Sequence, residues 1–280
     1  MTGQPSVDII VLSWNGKRDT LECLASLRAV TYPRCRVIVV DNGSTDDSVE
    51  AIRAGFPEVV VLQTGRNLLF AGGNNAGIRR SLADGTDVII LLNNDTAVDP
   101  GFVGALVGRL QSDPSVGVIG PKILYYASPH IIWYAGGEIS FWSGTMRHRG
   151  IRARDDGSFD APGKTDFATG CCLCATREAW QKTGLLDESY AMYAEDADWC
   201  VRARHAGFGT GYEPAAKVYH KISVSAGGHL SLFKLRKKFI SNLRFFFRHA
   251  AWYQWPVFPW LNFVVNGAAA LRYFRSRATV

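Results

Sequence analysis

Residues 87–95 read Asp-Val-Ile-Ile-Leu-Leu-Asn-Asn-Asp, a short apolar run that stops on a cluster of oxygen-bearing side chains. A continuous apolar stretch of this length, bounded by polar residues, predicts a strand buried on both faces of a parallel sheet. In open α/β sheets, ligands bind just beyond the carboxyl ends of such strands. Asp95 is thereby placed where a hard metal ion or a ribose hydroxyl can be held. Read by itself, Asn94-Asp95-Thr96 serves equally well to turn the chain or to cap a helix beginning near Pro100.

The surrounding sequence repeats the strand pattern. Val7–Ser13, Arg36–Asp41 and Glu58–Gln63 read as further strands. Helical periodicity covers Arg18–Ala29, the stretch from the Ser44/Thr45 cap to about Ala54, and Pro100–Gln111. Gly72-Gly73-Asn74 is expected to open another helix that runs to about Ala83. Strands alternating with helices predict a parallel, doubly wound α/β sheet. From Val116 the pattern becomes irregular, with short strands near Gly137–Trp142 and Ala168–Ala175 and helices near Arg177–Lys182 and Asp196–Ala206. Residues 1–228 are expected to form one catalytic unit, with a nucleotide-binding half to about 120 and an acceptor-side half from 121 to 228; residues 229–280 form a basic, aromatic helical appendage.

Its 280 residues give the chain ample core, and the N-terminus lacks the basic and apolar regions of a secretory signal. The six cysteines form no pair of Cys-x-x-Cys units and no zinc-site spacing, so reduced thiols in a cytoplasmic protein are expected. A net charge of +6 conceals a polarity: eleven Lys and Arg follow Glu213 with no Asp or Glu, leaving 20 basic against 25 acidic residues, a net of −5, in residues 1–213. Such asymmetry points to a basic surface that meets phosphate.

The strand ends carry the chemistry. Ser13-Trp14-Asn15-Gly16 and Asp41-Asn42-Gly43-Ser44 share the edge of Asp95 if the strands are parallel. Trp14 can stack on a nucleobase and Asp41 can accept from a ring N–H, against packing and an Asx-turn as the plainer roles. Asn67 and Phe70-Ala71-Gly72-Gly73-Asn74-Asn75 offer close backbone approach and a helix N-terminus to an anion, or an ordinary tight turn. Phe167–His205 is the richest segment. Its Glu195-Asp196-Ala197-Asp198 places three carboxylates within four residues at a helix start. Mutual repulsion raises their pKa and suits general-base work, whereas a helix cap needs only one acid.

Taken in order, Ser13-Trp14-Asn15-Gly16, Val40-Asp41-Asn42-Gly43-Ser44, Asn67 with Phe70–Asn75, Leu92-Asn93-Asn94-Asp95, Gly170-Cys171, Glu195–Asp198 and His220 resemble family 2 glycosyltransferases, and more closely their bacterial rhamnosyltransferase-like branch. The resemblance covers about residues 6–225. It implies a GT-A (Rossmann-like) fold, a nucleotide-sugar donor (a dTDP- or UDP-sugar), an inverting mechanism and a divalent metal, Mg²⁺ or Mn²⁺. Carried onto this chain, it makes Trp14 and Asp41 the base contacts, with Ser13, Asn15, Asn67, Gly72, Gly73, Asn74 and Asn94 around the donor. Asp95 becomes the last acid of an Asp-x-Asp element and a metal contact, Asp196 the general base, and His220 a second holder of metal or diphosphate. Gly170, Cys171, Glu195 and Asp198 fall on the acceptor side. One departure matters: Asn93 stands where that element has its first carboxylate, so it contributes an oxygen but no charge. Metal and donor are therefore expected to bind together.

In the tail, Lys234–Lys238 alternates basic and apolar residues, and no Lys, Arg, Asp or Glu lies between Arg248 and Arg272. Pro256 and Pro259 argue against a spanning helix. An in-plane segment on an anionic membrane, at the inner face of the cell membrane, fits the aromatic and basic residues; a helix packed on the protein's own core or a partner subunit is the alternative. Nucleic-acid binding is disfavoured because no binding fold accompanies the charge. The acceptor is expected to be a glycan or lipid-linked sugar, and an oligomer is compatible with the sequence. Two rival functions stay open. A sugar-1-phosphate nucleotidyltransferase would need a Gly-rich basic loop after the first strand, of which Trp14–Arg18 is a poor version. A non-catalytic nucleotide-sugar-binding protein would have no need of Asp95, Asp196 and His220 together.

Overall fold

The structure is a computed structural model that describes residues 3–190, 192–221 and 232–257. Its first part follows the predicted alternation: β1 (Val7–Ser13), α1 (Lys17–Leu27), β2 (Cys35–Asp41), α2 (Ser48–Gly55), β3 (Val60–Gln63), α3 (Leu69–Ala83) and β4 (Val88–Asn93). These strands pair in parallel in the order β4-β1-β2-β3. In that register Ser13 lies opposite Asp41 and Leu12 opposite Asn93, so three polar strand ends meet at one sheet edge.

Then come β5 (Thr96–Val98), α4 (Phe102–Ser112), β6 (Val116–Tyr125), β7 (Ser128–Tyr134), β8 (Gly137–Ser140), β9 (Thr145–His148), β10 (Gly163–Lys164), β11 (Cys172–Thr176), α5 (Arg177–Thr183), α6 (Glu195–His205), β12 (Gly209–His220) and α7 (Leu232–His249), with a 3₁₀ turn at Trp252–Val257. Among the described residues the main sheet has ten strands, ordered β10-β12-β6-β11-β4-β1-β2-β3, with β5 on β12 and β7 on β6. β11 runs antiparallel to β4 and β6, while β6 and β12 are parallel. Side chains of β1 alternate across it: Val7, Ile9 and Val11 join a core with Leu24 and Leu106 of α1 and α4. Ile10 joins one on the other face with Ile78, Trp180 and Trp199.

Two expectations are corrected. The segment after Val116 is not irregular, since β6 and β12 extend the sheet. Local signals concealed them because β6 contains Pro121 and Lys122 and β12 contains Pro214. Lys122 is buried and neutralised by Asp155 at 2.6 Å and by Asp160. Pro214 falls where the β12–β6 register shifts between Glu213 and Lys217, a place that tolerates a missing N–H. Secondly, α3 opens at Leu69, so Gly72 and Gly73 lie inside it. A Cβ on Gly73 would fall 2.4 Å from Leu12 Cδ1, and one on Gly77 2.6 Å from Ile10 Cγ2. Gly73 and Gly77 thus let α3 approach β1 closely.

As far as His249 the tail packs on this core. Phe245 and Phe246 of α7 are fully buried in the same core as Trp180 and Trp199. The uncharged stretch that follows Arg248 lies beyond Val257 for most of its length, outside the described residues. Among the described residues no helix is long and apolar enough to cross a membrane.

Candidate active site

The nucleotide edge is built by short loops that hold one another. Asn15, at φ 48°, donates its N–H to Ser44 Oγ (2.9 Å) and accepts from the Thr45 N–H (2.8 Å), which ties the loop after β1 to that after β2. Trp14 stands 55% exposed between them, and Asp41 is buried with Oδ1 accepting from the Ser44 N–H at 3.3 Å. Asn67 Oδ1 accepts from Asn42 Nδ2 and from the Leu69 N–H, so Asn67 and Asn42 shape the entry to α3. Ser13 is buried and bonds Thr20 at 2.8 Å; Thr20 in turn accepts from Asn94 Nδ2 at 2.9 Å. Asn74 is also buried, and its amide donates to Phe70 O. Ser13, Gly72, Gly73 and Asn74 therefore serve the frame of this edge, whereas Trp14 faces open solvent.

The second corner joins distant residues. β5 and β12 pair antiparallel with Thr96 opposite His220, and the Lys221 N–H donates to Asp95 O at 2.8 Å. His220 Nε2 consequently lies 3.2 Å from Asp95 Oδ1. His220 Nδ1 is buried and finds no hydrogen-bond partner among the described residues. The Trp133 ring meets His220 edge-on at 4.6 Å and His148 at 4.5 Å, which fixes the His220 plane. An imidazole and a carboxylate side by side are suitable donors for a divalent cation. Among the described residues no three His, Cys, Asp or Glu side chains converge to hold a metal by themselves. Asp95 and His220 fit such an ion only if a bound diphosphate supplies further oxygens.

The third element is the start of α6. Asp196 Oδ2 accepts from the Gly170 N–H at 2.7 Å and Oδ1 from the Ala197 N–H at 2.8 Å, so the carboxylate is clamped. Gly170 has no room for a side chain: its Cβ would fall 2.7 Å from Phe70 Cζ. Burial raises the Asp196 pKa, partly opposed by these amide bonds. Glu195 is pushed up to about 8, first by burial and then by the Asp196 charge. Its Oε2 is buried with no hydrogen-bond partner among the described residues. Both acids line a cavity of about 560 Å³, together with Asn93, Gly170, Cys171 and His220. Burial holds the Cys171 thiol far above its ordinary pKa, so it is a neutral wall of the cavity.

Asp198 is not part of that wall. It is buried behind it, with Arg202 Nε and His249 Nε2 each at 2.8 Å. Burial would raise its pKa, but the hydrogen bonds from His249 and Arg202 outweigh it and hold the carboxyl below its usual range. Phe70 and Lys238, named above only within longer motifs, also line the cavity; sequence reasoning missed Trp133 and His148 on the β7 and β9 side, Tyr193, and Asn242 from α7. Burial lowers the His148 pKa to about 4, which keeps it neutral. No local pattern marks these residues, because they converge from segments whose pairing only the fold reveals.

The architecture has counterparts. A mannosyltransferase from Pyrobaculum calidifontis, solved with GDP-Man and Mn²⁺, superposes with a TM-score of 0.65 at 16% identity, covering 100% of this chain and 82% of that one. GalNAc-T7, solved with UDP, GalNAc and Mn²⁺, gives 0.64 at 17% identity over 78% of this chain and 43% of its own. The fold is thus that of GT-A glycosyltransferases. The family model described as Glycosyl transferase family 2 matches residues 8–182, and the chain belongs to that family. It is 29% identical to the N-acetylglucosaminyl-diphospho-decaprenol L-rhamnosyltransferase of Mycobacterium tuberculosis over 89% of this chain and 85% of that protein. It is 24% identical to the dTDP-rhamnosyl transferase RfbF of Shigella flexneri over 76% of this chain and 68% of the relative. The enzyme is a glycosyltransferase with rhamnosyltransferase-like relatives.

Proposed function

We propose that this glycosyltransferase moves a sugar, rhamnose before others, from a dTDP- or UDP-sugar to a polyprenyl-linked or surface glycan, with inversion at the anomeric carbon and with Asp196 as general base. The observation that carries the reading is the clamped, half-buried Asp196 carboxylate, which shares one cavity with His220 and Asn93. Trp14 stacks on the base and Asp41 accepts from its ring N–H. Asp95 and His220 would hold Mg²⁺ or Mn²⁺ against the diphosphate. When bound, that ion would offset the negative charge that develops on the leaving group.

Transfer then needs one proton move from this chain's own residues. The acceptor hydroxyl gives its proton to Asp196 while its oxygen bonds to the anomeric carbon, and the bond from that carbon to the diphosphate oxygen breaks on the opposite face. The raised pKa of Asp196 strengthens it as a base, and the Gly170 N–H keeps the carboxylate aimed. The relatives named for a diphospho-decaprenol acceptor and a dTDP-rhamnosyl donor support these substrate classes. Action on a lipid-linked acceptor would place the protein on the inner membrane face. Replacing Asp196 by Asn should lower transfer by about 10²–10⁴-fold and leave donor affinity nearly unchanged. Equal loss of both, or a product with retained configuration, would remove Asp196 from this role.

A further inference from the structure

We propose that the face formed by the β8–β9 turn, α7 and the Trp252–Val257 turn is a docking surface for an anionic lipid bilayer. It is assembled from segments that are distant in sequence. Phe141, beside the turn, stacks on Phe245 of α7 with centroids 6.1 Å apart and planes at 10°, and meets Phe246 edge-on at 6.0 Å. Those contacts carry the next residue, Trp142, to Tyr253, at 5.9 Å between rings. Tyr253 meets Trp252 at 5.9 Å, and Trp255 meets Phe247 at 5.6 Å.

These rings are not core. Trp142 is 65% exposed, Trp252 76% and Tyr253 55%, and Trp255, Phe247 and Ile240 are exposed as well. So much apolar surface in one region calls for a partner. Indole and phenol rings have an apolar body and a polar tip, the composition favoured at the headgroup level of a bilayer. The charge selects the kind of partner. α7 carries Arg236, Lys237 and Lys238 and no acidic residue, and no Asp or Glu occurs after Glu213. An anionic lipid surface complements that, and a neutral protein face does not.

The surface is also rigidly placed. On its inner side α7 is anchored by buried Phe245 and Phe246, by His249 on Asp198, and by Arg248 on Asp187 at 2.5 Å. Lys238 and Asn242 of the same helix line the cavity that holds Asp196. A bilayer on this face therefore brings the cavity to the lipid headgroups, where a lipid-linked acceptor presents its sugar. The inference deepens the membrane-side reading above, but it does not depend on the transfer chemistry.

The test is sedimentation of the full chain with vesicles of phosphatidylcholine, alone or mixed with phosphatidylglycerol, without any turnover. Binding to the mixed vesicles, weakened by salt and accompanied by a blue shift of tryptophan emission, is expected. The combined variant Trp142→Ala, Trp252→Ala, Tyr253→Ala should bind at least roughly tenfold more weakly with an unchanged melting temperature. No binding to anionic vesicles overturns the proposal. So does undiminished binding by that variant, which would move the contact elsewhere in the chain, or self-association that the variant abolishes without any vesicle binding. A failed docking leaves the role of Asp196 standing, and a fully active Asp196→Asn variant leaves the docking standing.

Discussion

Glu195 and Asp196 are adjacent in the chain, yet the site asks different things of them. Asp196 is held by two backbone amides that favour its ionised form, while Glu195 Oε2 has no such partner among the described residues. With its pKa raised to about 8, Glu195 is protonated at neutral pH, so Glu195→Gln copies the state it already has. Transfer at pH 7 should remain close to that of the unaltered enzyme, and the activity change centred near pH 8 should disappear. Stability follows the same logic. The folded pKa of Glu195 exceeds its ordinary 4.5, so its contribution is fully present below 4.5 and is lost as pH rises through about 8. The melting temperature of Glu195→Gln should therefore rise relative to the unaltered chain between pH 5 and pH 9; parallel profiles would show that Glu195 ionises normally.

At the scale of elements, two pairings decide the site. β5 against β12 sets His220 beside Asp95, although they are 125 positions apart in the chain and neither shows a local sign of the other. α7 against α6 joins His249 to buried Asp198 and seals the back of the cavity wall. The basic run of α7 reads as a surface device in the sequence, but the helix has a second face. Its inner face is core. Phe245→Ala should accordingly cost about 3–5 kcal/mol of stability, as deletion of a buried aromatic does. Denaturant unfolding would read it, and a loss below about 1 kcal/mol, the range of exposed positions, would mean that α7 is a loose appendage.

For the whole molecule, the donor should act as a ligand that fastens three separate chain regions. Saturation at 100 times Kd adds about 2.7 kcal/mol, roughly 5–10 °C in melting temperature for a chain of this size. dTDP-rhamnose with Mn²⁺ is expected to give that shift, and Mn²⁺ alone a much smaller one, because Asn93 supplies no charge next to Asp95. Asn93→Asp should raise the metal-only shift. Calorimetry that found tight metal binding to the unaltered chain without nucleotide would contradict the joint site.

Much of this was legible in the amino-acid sequence. Alternating strand and helix periods, read over ten or so residues, determined β1 to β4 and the helices between them, and the ordered motifs from Ser13 to His220 determined the family. These signals are local, because a buried strand or an amphipathic helix must carry its own pattern. Only the tertiary structure decided that Gly73 serves packing against Leu12, that Asp198 stands behind the cavity rather than in it, and that β6 and β12 form around a buried Lys122 and a bulged Pro214. It alone brought Trp133 to His220 and Trp142 to Tyr253. Such contacts depend on which strands pair, in what register, and on what each burial leaves for the next segment to cover. No stretch of chain encodes that by itself.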